Sequence, residues 1–144
     1  VEITVKFVKD KGAYLVVLDK GEEIVSALTS FAAEKKIEGA AVWGIGGVTE
    51  VTLGFFDRVK KEYLKKTLPG FYELASLVGN ISMLNSRQFC HLHAVVSGAD
   101  MVSFSGHLFA ATVSLTAEVF IQPTQKLPRE FNGEIGLNLI RLPD

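Results

Sequence analysis

Apolar residues in this chain recur mostly at every second position, the spacing of half-buried strands. Ile3 to Val8 and Ala13 to Leu18 are two such runs, and Lys9-Asp10-Lys11-Gly12 between them reads as a hairpin turn. The period then changes once. Ile24, Leu28, Phe31 and Ala32 recur at helical steps and make one apolar face, while Glu23, Glu34, Lys35 and Lys36 mostly fall on the other. Asp19 stands three residues before Glu22, the spacing of a capping box, so the helix is expected to start there. Gly39 follows the last turn and is expected to end it.

From Ala40 onward the pattern is strand and turn. Ala40 to Trp43 and Val48 to Phe56 flank Gly44-Ile45-Gly46-Gly47, where a bulge or a close backbone approach is expected. The dinucleotide fingerprint would need a glycine at Thr49 and a following helix, and a phosphate loop would need a Gly-Lys-Ser/Thr ending. Asp57 to Glu62 is a charged turn, and the lysine-studded run Tyr63 to Leu68 suits a sheet edge. Pro69-Gly70 breaks the pattern before Phe71 to Ser82. Phe89 to Ser97, the turn Gly98-Ala99-Asp100, Met101 to Leu108 and Ala110 to Gln122 supply the central strands. A looped tail marked by Pro123, Pro128, Asn132 and Gly133 ends in a short strand, Leu137 to Leu142.

Composition narrows what such a chain can be. Its 144 residues, 48% hydrophobic and 22% charged, suit one packed domain spanning 1–144 rather than a disordered chain. A formal charge of −1 gives no global pull toward nucleic acid or an acidic membrane, so such binding would need a local patch. Lys60, Lys61, Lys65 and Lys66 make the most basic cluster, but with Glu62 among them a solvated face explains it better than nucleic-acid contact. The single cysteine, Cys90, excludes an intrachain disulfide and fits a reducing cytoplasm. Neither a signal-peptide pattern nor an 18-residue apolar run occurs, so a cytoplasmic protein with no membrane partner is expected.

The candidate chemistry gathers in one place. All three histidines, His91, His93 and His107, lie between Phe89 and Phe120. On a strand, His91 and His93 share a face about 6.5–7 Å apart, close enough to approach one ion. The turn at Gly98 to Asp100 can return the next segment antiparallel and bring His107 to that face as a third nitrogen. Three neutral imidazoles suit zinc or a similar divalent metal with one position open; the plainer alternative is ordinary sheet histidines bonded to polar neighbours. Glu73 and Glu118 interrupt apolar runs, each as a fourth ligand, a group orienting a histidine, a base beside metal-bound water, or a sheet-edge charge without chemistry. The same alternation turns the Cys90 thiol away from the histidines, toward a small buried role.

Several separated motifs, in order over nearly the whole chain, resemble the plants-and-prokaryotes-conserved (PPC) domain. They are Gly21-Glu22-Glu23, Gly44-Ile45-Gly46, Glu73 to Ser82, His91-Leu92-His93, Gly106-His107-Leu108 and Thr116-Ala117-Glu118. The resemblance implies an α/β (α+β) fold, a mostly antiparallel sheet packed against one main helix and short helical pieces, assembling as a homotrimer. It also implies a three-histidine metal site of the stand-alone prokaryotic type. Plant relatives carry an AT-hook and bind DNA, and prokaryotic copies are described as DNA-binding on that basis. No Arg-Gly-Arg-Pro core occurs here, so the arm that would read the minor groove is missing.

Three functions follow as expectations. The first is a trimeric metal-binding domain whose open position takes water, a small anion or another small molecule. The second is DNA binding through a positive surface repeated by symmetry. The third is a zinc-dependent hydrolase or lyase, since neither a Gly-x-Ser-x-Gly elbow nor a His-Glu-x-x-His helix offers another route to catalysis. Phe55, Phe56, Phe71, Tyr72, Phe89, Phe104, Phe109, Phe120 and Phe131 exceed what one helix can cover, so part of that surface is expected between subunits.

Overall fold

The alternating runs become eight strands in a computed structural model that describes residues 5–144. They are β1 (Lys6–Asp10), β2 (Ala13–Asp19), β3 (Ala40–Asp57), β4 (Glu62–Leu84), β5 (Arg87–Ser97), β6 (Ser103–Pro123), β7 (Arg129–Asn132) and β8 (Leu137–Ile140). One helix, α1 (Ile24–Glu34), joins β2 to β3. Ile3 and Thr4, the start of the first expected run, lie outside the described residues. One eleven-residue helix against eight strands corrects the α/β description to a mostly antiparallel β fold. The expected short helical pieces do not occur among the described residues. Antiparallel neighbours need only tight turns, so most of the chain is free to stay extended.

The main sheet runs β1-β2-β6-β3-β4-β5, and β5 also pairs with β6. The strands β3, β4, β5 and β6 therefore close on themselves and enclose Leu53, Leu74, Leu77, Leu92, Val96 and Leu108. The helix packs on β5 and β6 through Ile24, Ala27, Leu28, Phe31 and Ala32, which are buried. Each fully buried leucine or phenylalanine contributes about 1.5–3 kcal/mol.

The helix starts later than its capping signal suggests. Glu22 does reach back, accepting the Asp19 N–H at 2.6 Å, but the Asp19 carboxylate goes to Lys6 at 2.8 Å. Glu23 is the cap, accepting the N–H groups of Val25 and Ser26 at 2.9 Å each and that of Ala111 at 3.1 Å. One side chain thus starts the helix and ties it to β6. At the other end Lys36, at φ 54°, turns the chain out of the helix in place of Gly39. Gly39 serves close approach instead: a Cβ there would strike the Gln125 carbonyl.

The expected interruptions at Gly44 to Gly47 and at Pro69-Gly70 are bulges within continuous strands. Register shifts fall between Gly44 and Gly46 and between Thr49 and Val51, the second opposite Gly70 at φ 94°. A bulge absorbs the extra residue, so the ladder resumes beyond it. Residues 62–68 pair with β3 alone, as their lysine content suggested for an edge.

Candidate metal centre

The β5–β6 turn brings the histidines together within one chain. Cys90, Leu92 and Ala94 point into the core, which leaves His91 and His93 on the alternate face of β5. His107 lies directly across from His93 in the β5–β6 ladder and from Gly54 in the β3–β6 ladder, so a strand on each side fixes its position. Gly79 lets β4 close tightly on β5, since a Cβ there would strike the His91 carbonyl. Cys90 is buried, and burial pushes its thiol up to about 11, which leaves it a packing group.

One nitrogen from each imidazole lies within 4.8 Å of the other two. Ring centroids are 5.1 Å apart for His91 and His93, 5.3 Å for His91 and His107, and 5.8 Å for His93 and His107. Closing such a triangle to zinc–imidazole bonds of about 2.0–2.1 Å needs each ring to move inward by less than about an ångström. Side-chain rotation supplies that, so the donor set fits a divalent ion of the zinc type, and among the described residues these three form the one cluster of this kind. His91 and His107 are half-buried and His93 is exposed. Burial, the other two histidines and Lys65 push His107 down to about 4; burial, Arg129 and His93 lower His91. Both rings are therefore neutral at physiological pH, the state that offers a lone pair to a metal.

A cavity of about 360 Å³ opens beside His91 and His107. Tyr63 holds its hydroxyl 3.5 Å from Nδ1 of His107, and the His107 ring lies 4.5 Å from that of Phe109. Arg129, the first residue of β7, donates from Nε to Ser82 Oγ at 2.6 Å and from its two Nη atoms to Asn138 O and Asn80 Oδ1 at 2.9 Å each. Its Nη2 also stands 3.3 Å from Nδ1 of His91. Arg129 falls in the stretch expected to be a looped tail, and no motif or spacing in the sequence marks Tyr63 or Asn80 for the site. Only Asn80 left a usable signal, because it pairs with His91 in the β4–β5 ladder.

Neither carboxylate singled out in the sequence joins the histidines. Glu73 is exposed and pairs with Ser97, while His93 pairs with Val78, five residues or about 16 Å further along β4. Glu118 is exposed eleven residues beyond His107 on β6, beside Trp43 and Phe120. Of the basic cluster, Lys61 donates to the Gly133 carbonyl at 2.7 Å and Lys65 stands 4.0 Å over the Phe109 ring. No helix among the described residues is long and apolar enough to cross a membrane.

Comparison with known proteins agrees with this architecture. Residues 6–125 match the Plants and Prokaryotes Conserved (PCC) domain. A putative DNA binding protein from Bacteroides thetaiotaomicron is 33% identical, with a TM-score of 0.92 over 95% of this chain and 96% of that one. A plant- and prokaryote-conserved (PPC) protein from Pyrococcus horikoshii is 32% identical, with a TM-score of 0.86 over 100% and 99%. A metal-containing protein from Archaeoglobus fulgidus is 38% identical, with a TM-score of 0.85 over 96% and 99%. No curated protein matches. The chain belongs to the Plants and Prokaryotes Conserved domain family.

Proposed function

We propose, with membership of this family as the premise, that the chain is a metal-binding domain in which His91, His93 and His107 hold a zinc-type divalent ion. The observation that carries this reading is the convergence of three imidazole nitrogens within 4.8 Å on one face of the β5–β6 ladder. The metal-containing relative from Archaeoglobus fulgidus supports it. Three protein ligands leave a coordination position open, and the cavity beside His91 and His107 gives a small ligand room to reach it. A bound ion would supply Lewis acidity there, while the chain's own residues hold the rings and shape the approach. Glu73 and Glu118 stand away from this site, so a hydrolase or lyase reading would need a different base; the Tyr63 hydroxyl stands 3.5 Å from Nδ1 of His107. Elemental analysis of protein purified without an affinity tag tests the proposal: one divalent ion per chain is expected, and a metal-free protein that takes up none on titration would refute it.

We propose further that the protein is a homotrimer, as its family resemblance implies. Trp43, Ile45, Val78, Leu115 and Phe120 are exposed apolar side chains, more than an isolated sheet face ordinarily leaves in water. Sedimentation equilibrium should give three chains per particle. DNA binding is a second reading, favoured by the description of the Bacteroides thetaiotaomicron relative. It predicts gel-shift affinity that falls steeply between two salt concentrations.

A further inference from the structure

The cavity beside the histidines carries a positive charge that no acidic side chain among the described residues balances. The Arg129 guanidinium meets Ser82, Asn138, Asn80 and His91 and lies 5.2 Å over the Phe89 ring, all of them uncharged groups. The neighbouring carboxylates are otherwise engaged, Glu130 with Arg141 and Glu23 at the start of α1, and among the described residues no carboxylate lines the cavity. An ion on three neutral imidazoles would add two more charges to the same wall. A part-buried cation left without an anion is costly, so the site calls for an anionic guest. Much of the remaining lining is apolar, with Phe89, Phe109, Leu137 and Leu139 forming an apolar wall beside the two cationic positions.

We propose that this cavity binds a small monocarboxylate with an apolar body, its carboxylate between the histidine-held metal and Arg129 and its body along the Phe89–Leu139 wall. This rests on the metal reading above for one of its two cations, and on Arg129 for the other. The planar guanidinium fork matches a carboxylate. Because it can only donate, its approach to Nδ1 of His91 uses that nitrogen's lone pair. An ion held at Nε2 leaves a proton on Nδ1, and the two donors then repel. That Arg129 N–H is released to an incoming carboxylate. Phosphate would satisfy the charge, but its strongly hydrated oxygens suit the apolar wall poorly. Arg129, Leu137 and Leu139 lie beyond residue 125, where the family match stops, so the C-terminal hairpin supplies this subsite.

Calorimetric titration of zinc-loaded protein with butanoate, hexanoate, octanoate, hexanamide and inorganic phosphate tests the assignment. Hexanoate should bind one per chain, with affinity rising about two- to fourfold per methylene while the apolar wall is being covered. Hexanamide and phosphate should bind at least tenfold more weakly. Arg129→Gln should weaken hexanoate at least tenfold with zinc content and circular dichroism unchanged. Leu139→Asp, at a position 37% exposed and so able to take a charge, should weaken it while Arg129 and the histidines stay in place. Phosphate binding more tightly than hexanoate, or zinc uptake without hexanoate binding, overturns the carboxylate assignment and spares the metal. Failure to take up zinc overturns the metal reading instead, and the Arg129 dependence of hexanoate binding to the same protein then decides the carboxylate.

Discussion

The two ends of β6 use one alternation for opposite chemistry. Near its start the open positions are His107 and Phe109, beside a cavity closed by Tyr63, Arg129 and the β7–β8 hairpin. From the bulged stretch onward they include Leu115 and Phe120, and Phe120 stacks on Trp43 at 5.5 Å with both rings exposed. The inward positions hardly differ: Leu108, Ala111, Val113, Ala117 and Val119 are all buried. A strand's pattern therefore says which residues hold the fold. What a side chain on the other face does depends on what the rest of the chain lays over it.

The sharpest way to break this comparison is to empty the covered end. A double variant His91→Ala and His107→Ala should lose more than about a thousandfold in zinc affinity, two of three ligands being gone. Its circular dichroism and metal-free melting temperature should hardly change, because the site sits on a preformed sheet. Unfolding of the variant would show instead that the imidazoles help hold the ladder together. The complementary cut is Leu92→Ala, between the two histidines but pointing inward and fully buried. It should cost about 2–5 kcal/mol in urea unfolding while the native fraction still takes up zinc.

The open end is tested by Leu115→Asp, a change at a position 70% exposed and eight residues along β6 from His107. Three such charges brought together across a trimer would repel, and particle mass should fall from three chains toward one at micromolar concentration. Zinc per chain should not change. A trimer unaffected by this substitution would move the subunit contact elsewhere on the sheet.

How much of this was visible beforehand differs along the same lines. Alternation placed His91 and His93 on one face, and the Gly98 to Asp100 turn predicted that His107 would come across, because both are short-range consequences of strand geometry. The helix face was equally legible from its period. Its cap was not, since Asp19 is diverted to Lys6 and a turn at Gly21, φ 97°, carries the chain on to Glu23. Arg129 could not be found by spacing: it reaches Ser82 and Asn80 only because the C-terminal hairpin folds back over β4. Glu73 and Glu118 stood out as charges in apolar runs, but strands of 23 and 21 residues carry them far from the histidines. Local charge contrast marks an exposed position and leaves its neighbours unspecified.

The smallest effect separates the two ends by proton linkage. His107 titrates near 4 in the folded, metal-free chain because burial, His91, His93 and Lys65 all oppose its proton; unfolded, it returns to its ordinary 6.5. Between those values the unfolded chain binds more protons, so this contribution to stability is intact above 6.5, falls as pH drops toward 4 and changes no further below that. Solvent screening at a half-buried ring reduces the loss to about 1–2 kcal/mol. Urea midpoints of metal-free protein at pH 7 and pH 4.5 should show it, with His107→Asn as the control that removes it and leaves the acid response of the carboxylates. Leu115→Thr, on the uncovered face, should follow the wild-type pH curve in parallel. If His107→Asn also ran parallel to wild type, the imidazole would be as freely hydrated as a side chain on the open end, and the contrast between the two ends of β6 would lose its electrostatic half.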